Sequence, residues 1–354
     1  MQKRDIVVIG ASAGGIDAFK KLVRGLPKDF PASVFIVWHT APNITSLLPK
    51  ILDRETPLPV IEPFDGERIA PGTIYVSRPD HHLLIEDGIV RVTKGPKENR
   101  FRPAVDPLFR SAALAHGPRV IGIILSGGLD DGTSGLWTVK ENGGLAIVQD
   151  PVDAEFPSMP ISALRAVDAD YTLPVAEMGE LLSHLTTGKE ITEVPEVNVD
   201  EKKKMSVEVR IAAGENPLAL GFMELGDPSP IACPDCHGVL LKLKDGRQVR
   251  FRCHTGHAYS PDTLLSAITE QLEKALWNSV RIGDESLMLL SYTADELAGA
   301  GHYEIASIYR EKAEEMRRRI EQIRNTALEN EELSDTRLRT EPPSQEAAAS
   351  PLGD

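Results

Sequence analysis

Short apolar runs alternate with amphipathic helical stretches over the first half of the chain. The first run covers residues 6–9, a helical stretch follows at 18–23, and the next run covers 34–37. Such alternation predicts βαβ units that build a parallel sheet. Later runs of the same kind predict further strands at residues 73–76, 120–125 and 145–148, and the runs 83–85 and 89–92, joined through Asp87-Gly88, predict a hairpin. We therefore expect a doubly wound, mostly parallel α/β domain over residues 1–188.

The pattern changes after Gly188. Residues 189–230 have no clear period and are typical of a linker with some local strand, whereas 231–259 form a compact segment rich in cysteine and histidine. Apolar residues then recur at helical spacing in two stretches around Gly299-Ala300-Gly301, which predicts a helical hairpin over 260–328. Glu, Pro, Ser and Ala dominate 329–354, where we expect a disordered tail.

Charge and hydropathy exclude several classes of function. A formal net charge of −14 argues against a general nucleic-acid binder, because that role needs a cationic surface. No apolar run approaches the roughly 20 residues of a spanning helix, so we expect no membrane insertion. The sequence begins without the pattern of a signal peptide, which predicts a cytoplasmic protein.

The first strand-to-helix junction carries the pattern Gly10-x-Ser12-x-Gly14. One interpretation is a nucleophile turn, in which a sharp bend exposes the serine hydroxyl and the amides at the helix start stabilise an oxyanion. A dinucleotide-binding turn would have glycine where Ser12 stands and an acidic residue after the second strand. A turn of small residues that only packs helix against strand is the third interpretation.

Two further reactive side chains follow predicted strands. His39 comes at the end of the second strand, and Asp130-Asp131 follow the strand that ends at Leu125. Catalytic groups in open α/β sheets collect at the carboxyl ends of the strands. Serine becomes a useful nucleophile when a histidine takes its proton and a carboxylate orients that histidine. The coincidence favours a serine hydrolase.

Several motifs follow one another in a specific order, at residues 9–15, 38–40, 65–69, 71–72, 99–106, 124–132 and 158–160. On these motifs, residues 5 to about 185 resemble the catalytic domain of the chemotaxis protein-glutamate methylesterases of the CheB type. This resemblance implies a doubly wound esterase that hydrolyses γ-glutamyl methyl esters of receptor proteins, deamidates certain glutamines and needs no cofactor for catalysis. By position, the nucleophile is Ser12, the base His39 and the orienting carboxylate Asp131.

The resemblance also implies finer assignments, and the sequence departs from the family at several points. The backbone amides of Ala13 and Gly128 correspond to the oxyanion donors, and Asp130 stands where the family often has asparagine. Family members commonly carry a receiver domain before the esterase, yet here the first esterase strand begins at about Asp5, so we expect no regulation of that kind. Arg102 either lies near an acidic receptor surface or forms an ion pair with Asp106.

The cysteine and histidine segment has the spacing of a metal site. Two knuckles, Cys233-x-x-Cys236 and residues 253–257, flank a predicted hairpin, and three thiolates with one imidazole suit structural Zn²⁺. We favour Cys233, Cys236, Cys253 and His257 as ligands, with His254 as the alternative fourth ligand. A haem-attachment string and a redox pair also match parts of this segment, but the first lacks an export signal and the second a βαβ context.

The sequence thus predicts a methylesterase that acts on methylated chemoreceptors or similar sensory proteins. The alternative is a catalytically weak scaffold that binds a signalling partner through the zinc ribbon and the helical hairpin. Self-association through the hairpin is a further expectation. If ribbon and esterase are independent, loss of zinc leaves the triad chemistry intact.

Overall fold

The computed structural model describes residues 3–188, 191, 198–245 and 248–334. The chain divides into two compact units, Met1–Leu264 and Leu265–Asp354. The strands of the larger unit are, in chain order, β1 (Ile6–Ala11), β2 (Ser33–Trp38), β3 (Val60–Ile61), β4 (Ile74–Val76), β5 (His82–Glu86), β6 (Ile89–Thr93), β7 (Val120–Ile124), β8 (Leu145–Gln149), β9 (Tyr171–Leu173), β10 (Asp227–Ala232), β11 (Val239–Asp245), β12 (Gln248–Cys253) and β13 (Ala258–Tyr259). Its helices before the C-terminal pair are α1 (Gly15–Arg24), α2 (Leu48–Leu52), α3 (Val105–His116), α4 (Thr133–Glu141), α5 (Ser158–Ala166), α6 (Val175–Thr187) and α7 (Val199–Ala212), with short 3₁₀ turns at Gly117–Arg119 and Phe222–Glu224.

Seven of the described strands form a parallel sheet in the order β3-β4-β2-β1-β7-β8-β9. Strands β5 and β6 pair as a separate antiparallel hairpin. Strand β2 lies on one side of β1, and β7, which comes later in the chain, lies on the other side. The sheet therefore reverses its strand order at β1, and loops after β1, β2 and β7 meet at one edge. The predicted doubly wound α/β fold is confirmed.

Both faces of the sheet are covered, which explains why its strands are continuous apolar runs. Val7 and Ile9 of β1 pack in one cluster with side chains of α1 and α6. Ile6 and Val8 pack on the opposite face with side chains of α3, α4 and α5. Successive residues of a strand point to opposite faces, so the two clusters divide β1 between them.

Residues 198–212 differ from the predicted irregular linker, because they contain helix α7. The Asn198 side chain accepts a hydrogen bond from the Asp200 amide and caps the helix. The buried face of α7 includes the charged Glu208 beside Met205 and Ile211, so the apolar stripe that announces a helix is interrupted. The remainder of the predicted linker includes positions 189–190 and 192–197, which lie outside the described residues.

Strands β10 to β13 form an antiparallel sheet, which we call the ribbon. The ribbon belongs to the same compact unit as the parallel sheet, and that unit extends to Leu264. The amide of Asn99 donates to Ala258 O at 2.7 Å, and the Ala258 amide donates to Lys97 O at 3.2 Å. The ribbon and the esterase are therefore not independent. Zinc loss was expected to spare the triad only if they were independent, so that condition is not met.

The C-terminal helices are α8 (Pro261–Gly299) and α9 (Tyr303–Glu329). Gly301 has φ 85° in the turn between them, a conformation that glycine adopts readily. Within the smaller unit, Arg324 pairs with Asp284 at 2.8 Å, as an antiparallel hairpin requires. The predicted helical hairpin is present. Most of the predicted disordered tail, from residue 335 onward, lies outside the described residues. No helix in the described part of the chain has the length and apolarity needed to cross a membrane.

Candidate active site

Ser12 lies on a tight turn between β1 and α1. Its amide donates to Ser126 O at 2.9 Å, and its carbonyl accepts from the Trp38 indole Nε1 at 2.9 Å. Gly127 has no Cβ, and one placed there would lie 2.9 Å from the Ser12 Cβ and 2.0 Å from the Met159 Sδ. The loop after β7 can therefore approach the serine only with glycine at this position.

His39 follows β2 and is 8% exposed. Its Nε2 lies 2.7 Å from Asp131 Oδ2, and its ring stacks on Phe101 with centroids 3.9 Å apart. Among the described residues its Nδ1 has no hydrogen-bond partner. The stack on Phe101 fixes the plane of the His39 ring, and Asp131 occupies its Nε2. Nδ1 therefore remains available for a hydrogen bond to another group.

Asp131 follows β7 and accepts hydrogen bonds at both of its carboxylate oxygens. Its Oδ2 accepts from His39 Nε2 and from the Val105 amide, both at 2.7 Å. Its Oδ1 accepts from Asn99 Nδ2 at 2.8 Å and from the amides of Gly132 at 2.9 Å and Asp106 at 3.3 Å. Burial alone would raise the pKa of this carboxyl, but the bond and charge of His39 and the donated hydrogen bonds hold it below its usual range. The carboxylate is ionised and immobile.

Two other carboxyls near Asp131 have pKa values that are raised rather than lowered. Burial, with the charge of Asp131, raises the pKa of Asp106 to about 7. Burial also raises the pKa of Asp130 to about 8, although Ser260 Oγ donates to its Oδ1 at 2.6 Å. Asp130 therefore does not occupy the place of the orienting carboxylate. The structure places Asp131, the predicted acid, beside His39.

The backbone amides of Ala13 and Gly128 lie on the loops after β1 and β7. Within the described residues neither amide has an intramolecular acceptor. A shallow cavity of about 230 Å³ is lined by residues of this turn and by Trp38 and His39. Free amides beside a nucleophile are the groups that stabilise an oxyanion.

Comparisons with known proteins identify the family of this chain. A family model described as CheB methylesterase matches residues 7–182. A "Putative protein-glutamate methylesterase/protein-glutamine glutaminase" of Leptospira interrogans is 40% identical over 182 residues, which cover 51% of this chain and 94% of that protein. The chain belongs to the CheB methylesterase family. Membership makes it a carboxylic ester hydrolase.

A second curated relative is matched over a smaller share of its own length. The protein-glutamate methylesterase/protein-glutamine glutaminase of Thermotoga maritima is 38% identical over 184 residues, which cover 51% of this chain and 54% of that protein. This chain was also aligned with the crystal structure of the T. maritima CheB methylesterase catalytic domain. The alignment covers 51% of this chain and 97% of that domain, with 38% sequence identity and a TM-score of 0.49.

Arg102 is engaged away from the triad of the methylesterase. Its Nε donates to Asp80 Oδ1 at 2.9 Å, and its Nη1 donates to Gly95 O at 2.7 Å. The predicted alternative of an ion pair with Asp106 is wrong, because Asp106 accepts from the Gly135 amide and from Asn99 Nδ2. The other alternative, contact with an acidic receptor surface, stays a prediction.

The ribbon gathers four metal-ligating side chains. The donor atoms of Cys233, Cys236, Cys253 and His257 all lie within 4.8 Å of one another. Cys236 Sγ is 3.5 Å from Cys253 Sγ, and His257 Nδ1 is 3.6 Å from Cys253 Sγ and 3.7 Å from Cys233 Sγ. A tetrahedral zinc ion with ordinary bond lengths gives ligand separations of about 3.5–3.8 Å. The four side chains therefore fit zinc, and the alternative ligand His254 lies outside this group and is exposed.

Sequence reasoning missed the residues that surround the triad. Asn99, Phe101 and Ser260 all contact a triad residue or its neighbour Asp130. Asn99 and Phe101 lie in one of the motifs that carry the family resemblance, which was the available signal. Ser260 gave no such signal, because it lies outside those motifs.

Proposed function

We propose that this methylesterase hydrolyses γ-methyl esters of glutamate on a chemoreceptor or similar sensory protein and releases methanol. The observation that carries the proposal is the 2.7 Å contact between His39 Nε2 and a fully supported Asp131 carboxylate, next to the turn that presents Ser12. The names of the curated relatives support the choice of substrate. A sensory protein is therefore the expected partner.

Each step follows from the roles of these groups. Asp131 occupies Nε2 of His39, so Nδ1 is the nitrogen that takes the Ser12 proton as Oγ attacks the ester carbonyl. The amides of Ala13 and Gly128 would donate to the oxyanion. His39 then returns the proton to the methoxide, which leaves as methanol. Water attacks the acyl-enzyme with the same base, and the products are a free glutamate and the regenerated serine.

Deamidation uses the same acyl-enzyme. A glutamine side chain loses ammonia where the ester loses methanol, and water again yields glutamate. The relatives' second name, protein-glutamine glutaminase, supports this activity. Neither reaction requires a cofactor.

We further propose that Cys233, Cys236, Cys253 and His257 hold one structural Zn²⁺, and that the protein is cytoplasmic. The separations of the four ligand atoms support the first proposal. Thiols that stay reduced suit a cytoplasmic location, and the described cysteines form no disulfide. Self-association or a signalling partner on the helical hairpin stays a prediction.

Methanol release from a methylated sensory protein tests the proposed activity. Ser12→Ala should lower turnover by about 10⁴-fold or more, because the turn holds no second hydroxyl nucleophile in its place. Ser183→Ala is the matched control, since the Ser183 hydroxyl donates to Gly179 O within α6 and lies away from the site. Equal rates for wild type and folded Ser12→Ala would refute the esterase. A folded wild type without any methanol release would favour the scaffold alternative.

A further inference from the structure

The loop of residues 97–101 lies between the ribbon and the triad. Its backbone turns sharply, with Asn99 at φ 50° and Arg100 at φ 75°. Asparagine tolerates this left-handed conformation better than most residues. The backbone of the loop pairs with Ala258, the first residue of β13, on both sides of Glu98. The ribbon therefore directly fixes the backbone from which the Asn99 side chain extends.

Asn99 is 3% exposed, and both the nitrogen and the oxygen of its side-chain amide form hydrogen bonds. Its Nδ2 donates to Asp131 Oδ1 and to Asp106 Oδ2, each at 2.8 Å. Its Oδ1 accepts from the Ser260 amide at 3.0 Å and from Thr263 Oγ1 at 3.1 Å. One buried side chain thus connects the catalytic carboxylate with the residues that begin α8.

Residues 260–263, which we call the α8 brace, make a second contact with the acid loop. Ser260 Oγ donates to Asp130 Oδ1 at 2.6 Å and accepts from the Thr263 amide at 3.0 Å. The same serine therefore caps the helix and binds the residue before Asp131. Two contacts, one through Asn99 and one through Asp130, orient the loop that carries the acid.

Buried ion pairs attach the ribbon to the esterase beside this loop. Glu98 pairs with Arg252 of β12 at 2.7 Å and with Arg110 of α3 at 3.3 Å. Glu208 of α7 pairs with Arg252 at 3.0 Å and with Arg250 at 2.7 Å. All five charged side chains are buried, and a buried charge that loses its partner is strongly destabilising. The ribbon cannot move away from Asn99 without separating these charges.

We propose that the ribbon and the α8 brace are a positioning element for the catalytic acid, with Asn99 as the positioning residue. The inference rests on the proposed esterase activity and extends it. Asn99 and the brace touch no reacting atom; they hold Asp131 so that His39 keeps its orientation toward Ser12. A segment outside the residues matched by the family model therefore sets the turnover of the methylesterase domain.

The test uses the full-length protein with substitutions that separate hydrogen bonding from shape. Thr263→Val removes the hydroxyl that binds Asn99 and should lower kcat about 2- to 10-fold with KM unchanged. Thr263→Ser keeps the hydroxyl and should restore kcat to near the wild-type value. Asn99→Asp places a carboxylate against two others and should lower kcat by about 10-fold or more. Thr293→Val is the matched control, because its hydroxyl only bonds Leu289 O within α8.

A second measurement is independent of turnover. The low-field proton NMR signal of His39 Nε2–H reports its bond to Asp131, and it should move upfield in Thr263→Val but not in Thr263→Ser. An unchanged kcat or an unchanged signal in folded Thr263→Val would overturn the positioning role. If the wild type releases no methanol, the proposed function fails, and the NMR comparison still decides whether the brace positions the acid.

Discussion

Asp131→Asn replaces one acceptor oxygen with an amino group at the centre of the site. The new NH₂ group can take the place of Oδ1 or of Oδ2, and in either place it faces hydrogen-bond donors. On the Oδ1 side it meets Asn99 Nδ2 and the amides of Gly132 and Asp106, and on the Oδ2 side it meets the Val105 amide and His39 Nε2. The Oδ2 side leaves fewer donors unpaired, because His39 can change tautomer and accept there.

That tautomer determines the size of the effect. An unpaired buried donor costs about 1–3 kcal/mol, so one orphaned Val105 amide is tolerable, whereas three orphaned donors on the other side are not. When Nε2 accepts a hydrogen bond from the introduced amide, the His39 proton lies on Nδ1, the nitrogen that should receive the Ser12 proton. A base that is already protonated cannot act, and a loss of about 10⁴-fold in kcat is expected, as for the equivalent change in serine proteases.

Asp130→Asn is the matched comparison. A pKa of about 8 keeps Asp130 largely neutral at pH 7, and a neutral carboxyl resembles an amide in shape. Initial rates of methanol release at pH 7 should therefore be close to wild type for Asp130→Asn. Thermal unfolding verifies that both variants fold. Equal losses in the two variants, or a folded Asp131→Asn variant that retains more than about a tenth of the wild-type rate, would refute this account of the acid.

Two further predictions concern metal and pH. Elemental analysis should find about one zinc per chain; Cys253→Ser should release it and, because the ribbon holds Asn99, lower kcat as well. No zinc together with three freely titratable thiols would refute the site. The pKa of Asp130 is raised from about 4 in the unfolded chain to about 8, so the folded state retains a proton in this range and wild type loses stability as pH rises. Urea unfolding of both proteins measures this. The free energy of unfolding of Asp130→Asn, minus that of wild type, should rise from pH 4 to pH 8, and a difference that stays constant over this range would contradict the prediction.

The triad was predictable because of where its members lie along the chain. Ser12, His39 and Asp131 each follow a strand, and the strands concerned, β1, β2 and β7, are neighbours around the point where strand order reverses. Apolar runs locate strands, and parallel strands deliver their ends to one edge. The grouping of Cys233, Cys236, Cys253 and His257 was predictable for a similar reason, since knuckle spacing is local in sequence.

The residues that support the triad could not be found in this way. Asn99 and Thr263 are 164 positions apart, and no periodicity connects a left-handed loop residue with the first turn of a distant helix. Helix α7 was missed because Glu208 interrupts its apolar face. A charge is expected in solvent, and its burial becomes possible only when Arg250 and Arg252 arrive from a separate strand.

The two adjacent aspartates show how the fold divides roles between identical side chains. Asp131 is buried and Asp130 is partly buried, and burial favours the neutral form of each. Asp131 accepts hydrogen bonds from His39, from Asn99 and from backbone amides, and its lowered pKa favours the ionised form. Asp130 accepts from Ser260 and lies near other carboxyls, so it keeps its proton. It can therefore stand where the family often has asparagine without placing a second negative charge beside the catalytic one. Different hydrogen-bond donors thus accompany opposite pKa shifts in two adjacent aspartates.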